Sequence, residues 1–289
     1  MTNVLIGVSL STSAAPGADP VADARAAEDL GFDFVSAADH PGSAHPSYET
    51  WTLLAWIAAA TSRVAVMPKV LGVPFRAPAL IAKAAESLDR LSGGRLLLGL
   101  GAGGDDSEFR GLGLSARAPA DKIRALDDAV RIVQGMWSEP SFTHQGMIYH
   151  TEEARLEPKP GHHIPIWLGT FGPRALEVTG RLADGWIPSR GYVPDQALAA
   201  MRDRVLAAAE QADRDPASIT CALNTQVIVD NRGQDRDADQ FTGPPAKIAD
   251  SMRYFAELGF TAFNFIPAGE NRAAQVQRLA AEVLPAVRP

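Results

Sequence analysis

The pair Asp39-His40 stands just after a short apolar run, residues 32–37, that predicts a β-strand. A histidine can give or take a proton near neutral pH, and a neighbouring carboxylate can orient it. The pair is therefore a candidate for acid–base catalysis, and His45 in the following loop can line the same pocket. A second interpretation fits these residue types equally well: Asp39 caps the turn and His40 is simply exposed.

Two further apolar runs end in glycine. The first closes with Gly72 and Val73, where the absent side chain allows either the close approach of a flat ligand or an ordinary bulge. The second leads into a glycine-rich loop made of Gly101, Ala102, Gly103 and Gly104. This loop lacks the acidic residue that a dinucleotide-binding fingerprint carries about 20 residues further on. It predicts a low rim across which a broad ring can lie.

A later strand-like run, residues 164–168, passes directly into a helix through a segment with small residues. Its candidate ligand-binding residues are Gly169, Thr170, Phe171, Gly172 and Arg174. Pro173 suits the first position of a helix, where free backbone N–H groups and the helix dipole attract anions. Either a simple capped helix or a phosphate site explains the segment, and Arg174 favours the phosphate site.

Composition excludes several classes of function. The chain has 289 residues and a formal net charge of -7, which argues against nucleic acid as a partner. It has one cysteine, Cys221, whose apolar flanks predict a packed thiol. We find no metal-ligand spacing, no hydrolase motif, no signal peptide and no apolar run long enough to span a membrane. These features predict a soluble, cytoplasmic protein.

Strand-like and helical patterns alternate along the chain in about eight units. Apolar strands separated by helices predict a parallel sheet covered on both faces. We expect an α/β fold of the (β/α)8 TIM-barrel type, with a closed parallel sheet and small insertions, as a single domain over residues 1–289. A doubly wound open sheet is the alternative. Residues 142–150 predict a hairpin outside the repeat, and the polar residues 230–240 predict a loop or a lid.

Several pieces of the chain together resemble the luciferase-like flavin family, and within it the branch that uses the deazaflavin coenzyme F420. The matching pieces are residues 26–33, the Asp39-His40 pair, residues 60–66, residues 88–95, the glycine-rich loop and residues 180–186. They follow one another in order across most of the chain. The resemblance implies a barrel that binds a flavin-like coenzyme.

The resemblance also implies roles for the candidate residues. Gly72-Val73 would be the non-proline cis peptide that supports the middle of the coenzyme ring. Asp39 would hydrogen-bond near the ring, and His40 would exchange a proton with the substrate. The loop from Gly101 to Gly104 would border the ring, and the segment from Gly169 to Arg174 would bind the phosphate end.

Two departures from the family pattern narrow the expected activity. In the sugar-phosphate and alcohol dehydrogenases of this branch, a Trp lies four residues after the catalytic His and a Glu sits in the glycine-rich loop. The matching positions here are Ala44 and Gly104. Both partners that orient an alcohol are missing, which argues against those substrates and favours a reductase, or a less demanding chemistry, on a larger organic molecule.

Three functions follow as hypotheses. The first is an F420-dependent oxidoreductase that transfers a hydride to or from a small organic substrate, expected as a homodimer. The second is an FMN-dependent monooxygenase, which the short loop at 230–240 disfavours because an oxygen adduct needs a closed site. The third is a protein that binds a flavin-like ligand without turnover.

Overall fold

The structure is a computed structural model that describes residues 4–231 and 240–288. Its twelve strands are β1 Leu5–Ser9, β2 Phe34–Ala37, β3 Ala65–Pro68, β4 Leu71–Gly72, β5 Leu98–Gly101, β6 Phe142–Gln145, β7 His150–Ala154, β8 Ile166–Leu168, β9 Gly185–Trp186, β10 Thr220–Val229, β11 Phe241–Gly243 and β12 Ala262–Pro267. Its helices are α1 Pro20–Asp29, α2 Thr50–Ala60, α3 Pro78–Ser92, α4 Asp106–Gly111, α5 Pro119–Ser138, α6 Pro173–Leu182, α7 Asp195–Glu210, α8 Pro245–Glu257, α9 Arg272–Arg278 and α10 Leu284–Val287.

The main sheet is a parallel barrel. Its strand order is β3-β2-β1-β12-β10-β9-β8-β5-β4, and the paired strands run parallel. A parallel bridge between Val66 in β3 and Leu96, just before β5, links the first strand of this order to its other side and closes the barrel. The predicted (β/α)8 barrel is confirmed, with its eight main strands in the predicted segments.

The predicted hairpin is confirmed as β6 and β7, which pair antiparallel outside the barrel. Asp128 on α5 holds it in place, because its carboxylate accepts the backbone N–H groups of Ile148 at 2.7 Å and Tyr149 at 3.1 Å. The Nε2 atom of His144 lies 3.1 Å from the same carboxylate. The short helix α4, in contrast, was not predicted; that stretch had no periodic pattern.

Two layers of side chains fill the inside of the barrel. The lower layer is apolar and consists of Phe34, Met67, Trp167, Ile187, Ala222 and Ala262. The next layer is a chain of hydrogen bonds from Ser36 to Asn264 at 2.8 Å, to Asn224 at 2.7 Å and to Ser189 at 2.7 Å. Each of these four residues lies two positions after a residue of the lower layer, as the alternation of side chains along a strand requires. The barrel thus becomes polar toward its carboxyl end.

Acidic residues tie the strands together at the amino end. Asp33 accepts the N–H of Ile6 at 2.6 Å, and Asp184 accepts the N–H of Ile166 at 2.8 Å. Burial alone would raise the pKa of Glu28, but hydrogen bonds from the N–H groups of residues 62–64 outweigh it and lower the pKa to about 2. These acids belong to segments that carry the family resemblance, so those segments maintain the fold.

Cys221 is 2% exposed, and burial raises the pKa of its thiol to about 11. The predicted packed thiol is therefore confirmed. Within residues 4–231 and 240–288, none of the helices combines the length and the apolarity needed to cross a bilayer.

Candidate active site

Asp39, just after β2, clamps the segment that follows β3. Its Oδ2 accepts the Gly72 N–H at 2.9 Å and Arg76 Nη1 at 2.8 Å, and its Oδ1 accepts Arg76 Nη2 at 3.0 Å. Asp39 is 5% exposed, so water does not screen these bonds. Arg76 also pairs with Glu49, which raises its pKa further against the effect of burial. Both carboxylate oxygens of Asp39 thus already have protein donors, which gives it a positioning role.

The non-proline cis peptide lies between Lys69 and Val70. The prediction that placed it at Gly72-Val73 is therefore wrong. The pairing of β3 with β2 ends where Pro68 faces Ala37, and the chain turns at the next two residues. Gly72 already belongs to β4, where it pairs with Gly101. The irregular backbone lies between these two pairings. The sequence does not indicate it, because residues 63–71 look like one continuous strand.

The position of the Val70 side chain explains why residues 101 and 169 are glycines. A Cβ atom on Gly101 would lie 2.6 Å from Val70 Cγ2, and one on Gly169 would lie 3.2 Å from both methyl groups of Val70. The glycines at the ends of β5 and β8 therefore make room for a valine that packs against the apolar layer of the barrel. Gly103 has φ +84° and a Cβ there would lie 2.4 Å from the Phe109 ring, whereas Gly104 faces open space.

His40 is held by a carboxylate that the sequence did not reveal. Its Nδ1 lies 3.1 Å from Glu108 Oε2, and Glu108 Oε1 accepts the N–H of Gly42 at 2.8 Å. The His40 side chain is 67% exposed and the Glu108 side chain only 8%. Glu108 lies on α4, whose start is capped by Asp105. An Asp followed three residues later by a Glu is the signal that predicts such a helix start.

In the segment before α6, the hydroxyl of Thr170 is hydrogen-bonded to another side chain. Its Oγ1 lies 2.7 Å from Thr179 Oγ1, and the Thr179 hydroxyl donates to the Ala175 carbonyl at 2.9 Å. Thr179 has one hydroxyl proton, so Thr170 must donate the proton in their shared bond. The Thr170 hydroxyl therefore has no proton left for a phosphate in this arrangement.

Other groups near the start of α6 keep the features expected of an anion site. Gly172 is the N-cap of α6 and Pro173 its first residue, so the N–H groups of the first turn lack helical acceptors. Arg174 is exposed and has no partner in the described part of the chain. Phe171 stacks on the exposed Tyr192, with ring centroids 5.2 Å apart. Tyr192 was not predicted, because it comes from the distant loop after β9.

The remaining candidates have simpler positions. Ala44 and His45 are exposed in the loop after β2. His162 and His163 are exposed before β8, at the amino end of the barrel, and pair with Asp89 and Asp184. The predicted loop or lid at 230–240 falls mainly on residues 232–239, outside the described residues.

The strand ends bring most candidate residues to one face. Asp39 and His40 follow β2, Gly72 pairs with Gly101, and the Gly169 N–H donates to the Leu100 carbonyl at 3.1 Å. This is the carboxyl end of a parallel barrel, the face where the active sites of such barrels lie. Fold and site together define an α/β-barrel of the enzyme type.

Comparison with known proteins gives the family. Residues 2–240 match the model of the luciferase-like monooxygenase family. The chain therefore belongs to this family.

Curated relatives and solved structures agree with this assignment. An F420-dependent glucose-6-phosphate dehydrogenase of Nakamurella multipartita is 34% identical, over 68% of this chain and 61% of that protein, which is less than two thirds of its length. One from Kineococcus radiotolerans is 29% identical over 91% of each chain. The solved structure of an F420-dependent secondary alcohol dehydrogenase in complex with an F420-acetone adduct matches with a TM-score of 0.89 and 19% identity, over 100% of both chains. That structure supports the fold.

Removing the Asp39 carboxylate should destabilise the protein strongly. We expect Asp39→Ala to lower the free energy of unfolding by about 3 kcal/mol, because it leaves the Gly72 N–H and part of the Arg76 charge without an acceptor. Urea unfolding followed by circular dichroism measures the difference. Glu49→Gln, at the partly exposed second partner of Arg76, is the control and should lower it by about 1 kcal/mol or less. Equal losses in both variants would contradict the clamp.

Proposed function

We propose that this protein is an F420-dependent oxidoreductase that transfers a hydride between the deazaflavin and a small organic substrate. The observation that carries the proposal is the exposed imidazole of His40, which a buried carboxylate holds at the mouth of the barrel. The relatives at 34% and 29% identity are named as F420-dependent enzymes, which supports the coenzyme.

The residues at the mouth suit a flat ring. Val70 offers an apolar surface between two glycines, and the glycine-rich loop beside it leaves space open at Gly104. We propose that Val70, Gly72, Val73 and the loop from Gly101 to Gly104 contact the ring. Asp39 would act as a positioning residue, because it fixes the Gly72 amide rather than contacting the reacting atoms.

The start of α6 suits the phosphate end of the coenzyme. Its first-turn N–H groups and the unpaired Arg174 guanidinium are donors that match phosphate oxygens. We propose that Gly169, Phe171, Gly172 and Arg174 hold this end, with Thr170 contributing its backbone rather than its hydroxyl. The stacked pair of Phe171 and Tyr192 would cover the tail from one side.

When bound, the coenzyme supplies or accepts the hydride. The chain supplies the proton that must move with it, and His40 is placed to exchange that proton with a substrate heteroatom. Glu108 engages Nδ1 of His40, which leaves Nε2 as the ring nitrogen for the substrate. We propose that this carboxylate takes over from one of the two partners that are absent at Ala44 and Gly104, which weakens the hypothesis of a binding protein without turnover.

The family model favours one alternative, an FMN-dependent monooxygenase, because it describes luciferase-like monooxygenases. Both functions use the same mouth and the same phosphate site. The nature of the bound ring separates them. We further propose a single domain that acts as a cytoplasmic homodimer on a small-molecule substrate, with neither nucleic acid nor membrane as a partner.

A binding titration tests the choice of coenzyme. We expect the purified protein to bind F420 at least tenfold more tightly than FMN, because its relatives across most of the chain use the deazaflavin. Quenching of the fluorescence of each coenzyme measures both dissociation constants, and Arg174→Gln should weaken both. A clear preference for FMN would replace the proposal with the monooxygenase.

Replacement of the histidine tests the proton transfer. His40→Ala should lower turnover by about 100-fold or more, the usual contribution of a positioned acid or base, while coenzyme binding stays within about twofold. Reoxidation of the reduced coenzyme by an acceptor, found in a screen of carbonyl, enone and nitro compounds, measures turnover. His45→Ala, in the same loop, is the matched control and should retain activity. Full turnover in His40→Ala would remove this residue from the mechanism.

A further inference from the structure

Lys69 directly follows β3 at the carboxyl end of the barrel. Its backbone N–H donates to the Ala37 carbonyl at 2.7 Å, one residue beyond the last paired position of β3. Met67, two residues earlier, belongs to the apolar layer inside the barrel. Because side chains alternate along a strand, Lys69 points to the same inner side, nearer the carboxyl end. It is partly exposed there.

The ammonium group of Lys69 has no hydrogen-bond or ion-pair partner among residues 4–231 and 240–288. Arg76, the next cationic residue along the chain, differs in this respect, because it pairs with Asp39 and Glu49. Withdrawing an ammonium from water without a partner is unfavourable, so such groups in clefts mark candidate ligand sites. The structural alternative, a lysine that stabilises the fold, would require an acceptor near its ammonium.

A second cation lies on the rim of the same mouth. Arg272, at the start of α9 after β12, donates to the carbonyl of Ser9 at the end of β1 at 3.1 Å. Burial and then the charge of Arg272 lower the pKa of Lys69 to about 8. Ser9, which accepts from Arg272, pairs with Ser36, and the next residue, Ala37, accepts the Lys69 N–H, so both cations are attached to neighbouring strand ends. Two positive groups placed there form a site suited to an anion.

The carboxylates around the mouth are engaged with other groups. The charged and titratable residues in the segments that follow β1, β2, β4, β5, β10 and β12 include Asp23, Asp39, His40, Glu49, Arg76, Asp105, Glu108, Asp230 and Arg272. Asp39 and Glu49 accept from Arg76, and Glu108 accepts from Gly42 and contacts His40. Asp23 lies close enough to Arg272 for the two charges to interact. Arg272 is the residue whose charge acts on Lys69.

We propose that Lys69 and Arg272 bind a carboxylate in the mouth of the barrel, so that the substrate is a small organic acid. This inference rests on the proposed function, since it names the class of substrate that the same site accepts. The acid group would fix one end of the substrate in the mouth and leave its reducible part near His40.

Binding of a simple acid and of its neutral analogue tests the inference without turnover. Benzoate and benzamide differ in charge but have nearly the same shape. Calorimetric titration at pH 7 should show that the protein prefers benzoate, and that Lys69→Met weakens benzoate binding at least tenfold while leaving benzamide binding unchanged. Arg272→Gln should weaken benzoate binding by a smaller factor. Lys83→Met, at a lysine on α3 that pairs with Glu86, is the matched control.

The pH dependence gives a second measurement on the same samples. Because the anion needs a protonated Lys69, the affinity of the natural protein for benzoate should fall about tenfold for each pH unit above about 8. Lys69→Arg stays charged to much higher pH and should keep its affinity at pH 9.5. It also keeps the inference testable if Lys69→Met does not fold, which circular dichroism would reveal.

Several outcomes would overturn the inference. They are a natural protein that binds no benzoate at pH 7, equal affinities in the natural protein and Lys69→Met, and equal affinities for benzoate and benzamide. A loss of affinity for reduced F420 alone in Lys69→Met would assign the lysine to the coenzyme instead. If F420 binds but benzoate does not, the inference fails and the proposed function stands. If benzoate binds through Lys69 but F420 does not bind, the proposed function fails.

Discussion

The mouth of this barrel depends on one buried carboxylate. Asp39 receives the Gly72 amide and two nitrogens of Arg76, and so fixes the end of the segment that links β3 to β4. The residues between these two strands, Lys69 and Val70, are thereby kept at the mouth. Val70 in turn requires glycine at positions 101 and 169. The clamp thus fixes the segment that carries both Val70, the proposed contact surface for the coenzyme ring, and Lys69. The glycines at 101 and 169 accommodate Val70 in that position.

The two ends of the barrel use acidic residues differently. At the amino end, Glu28, Asp33 and Asp184 accept backbone N–H groups of neighbouring strands, so their charges serve the fold. At the carboxyl end, Asp39 and Glu108 hold an arginine and a histidine beside open space. Segments that carry the family resemblance occur at both ends. An acidic residue in one of these segments therefore has to be assigned to one end of the barrel before it is given a role.

The sequence was sufficient for the architecture because the barrel rests on a regular alternation of apolar strands and amphipathic helices. It also led to Asp39 and His40 as candidates, which the structure places after β2 at the carboxyl end, the face where such barrels carry their chemistry. It misplaced the cis peptide, because residues 63–71 look like one continuous strand in spite of Pro68 and Lys69. It missed Glu108 and Tyr192, which come from an irregular stretch and a distant loop. It could not foresee that Thr170 donates its proton to Thr179, because that bond depends on how α6 packs.

The central claim is that a three-ring coenzyme lies at the mouth on Val70, with its tail at the start of α6 and its reactive edge toward His40. The most direct measurement is a crystal structure of the protein saturated with F420. Our account predicts density for the ring against the Val70 methyl groups and for the phosphate within hydrogen-bonding distance of Arg174. A saturated crystal with an empty mouth, or with the coenzyme bound at another face, would contradict it.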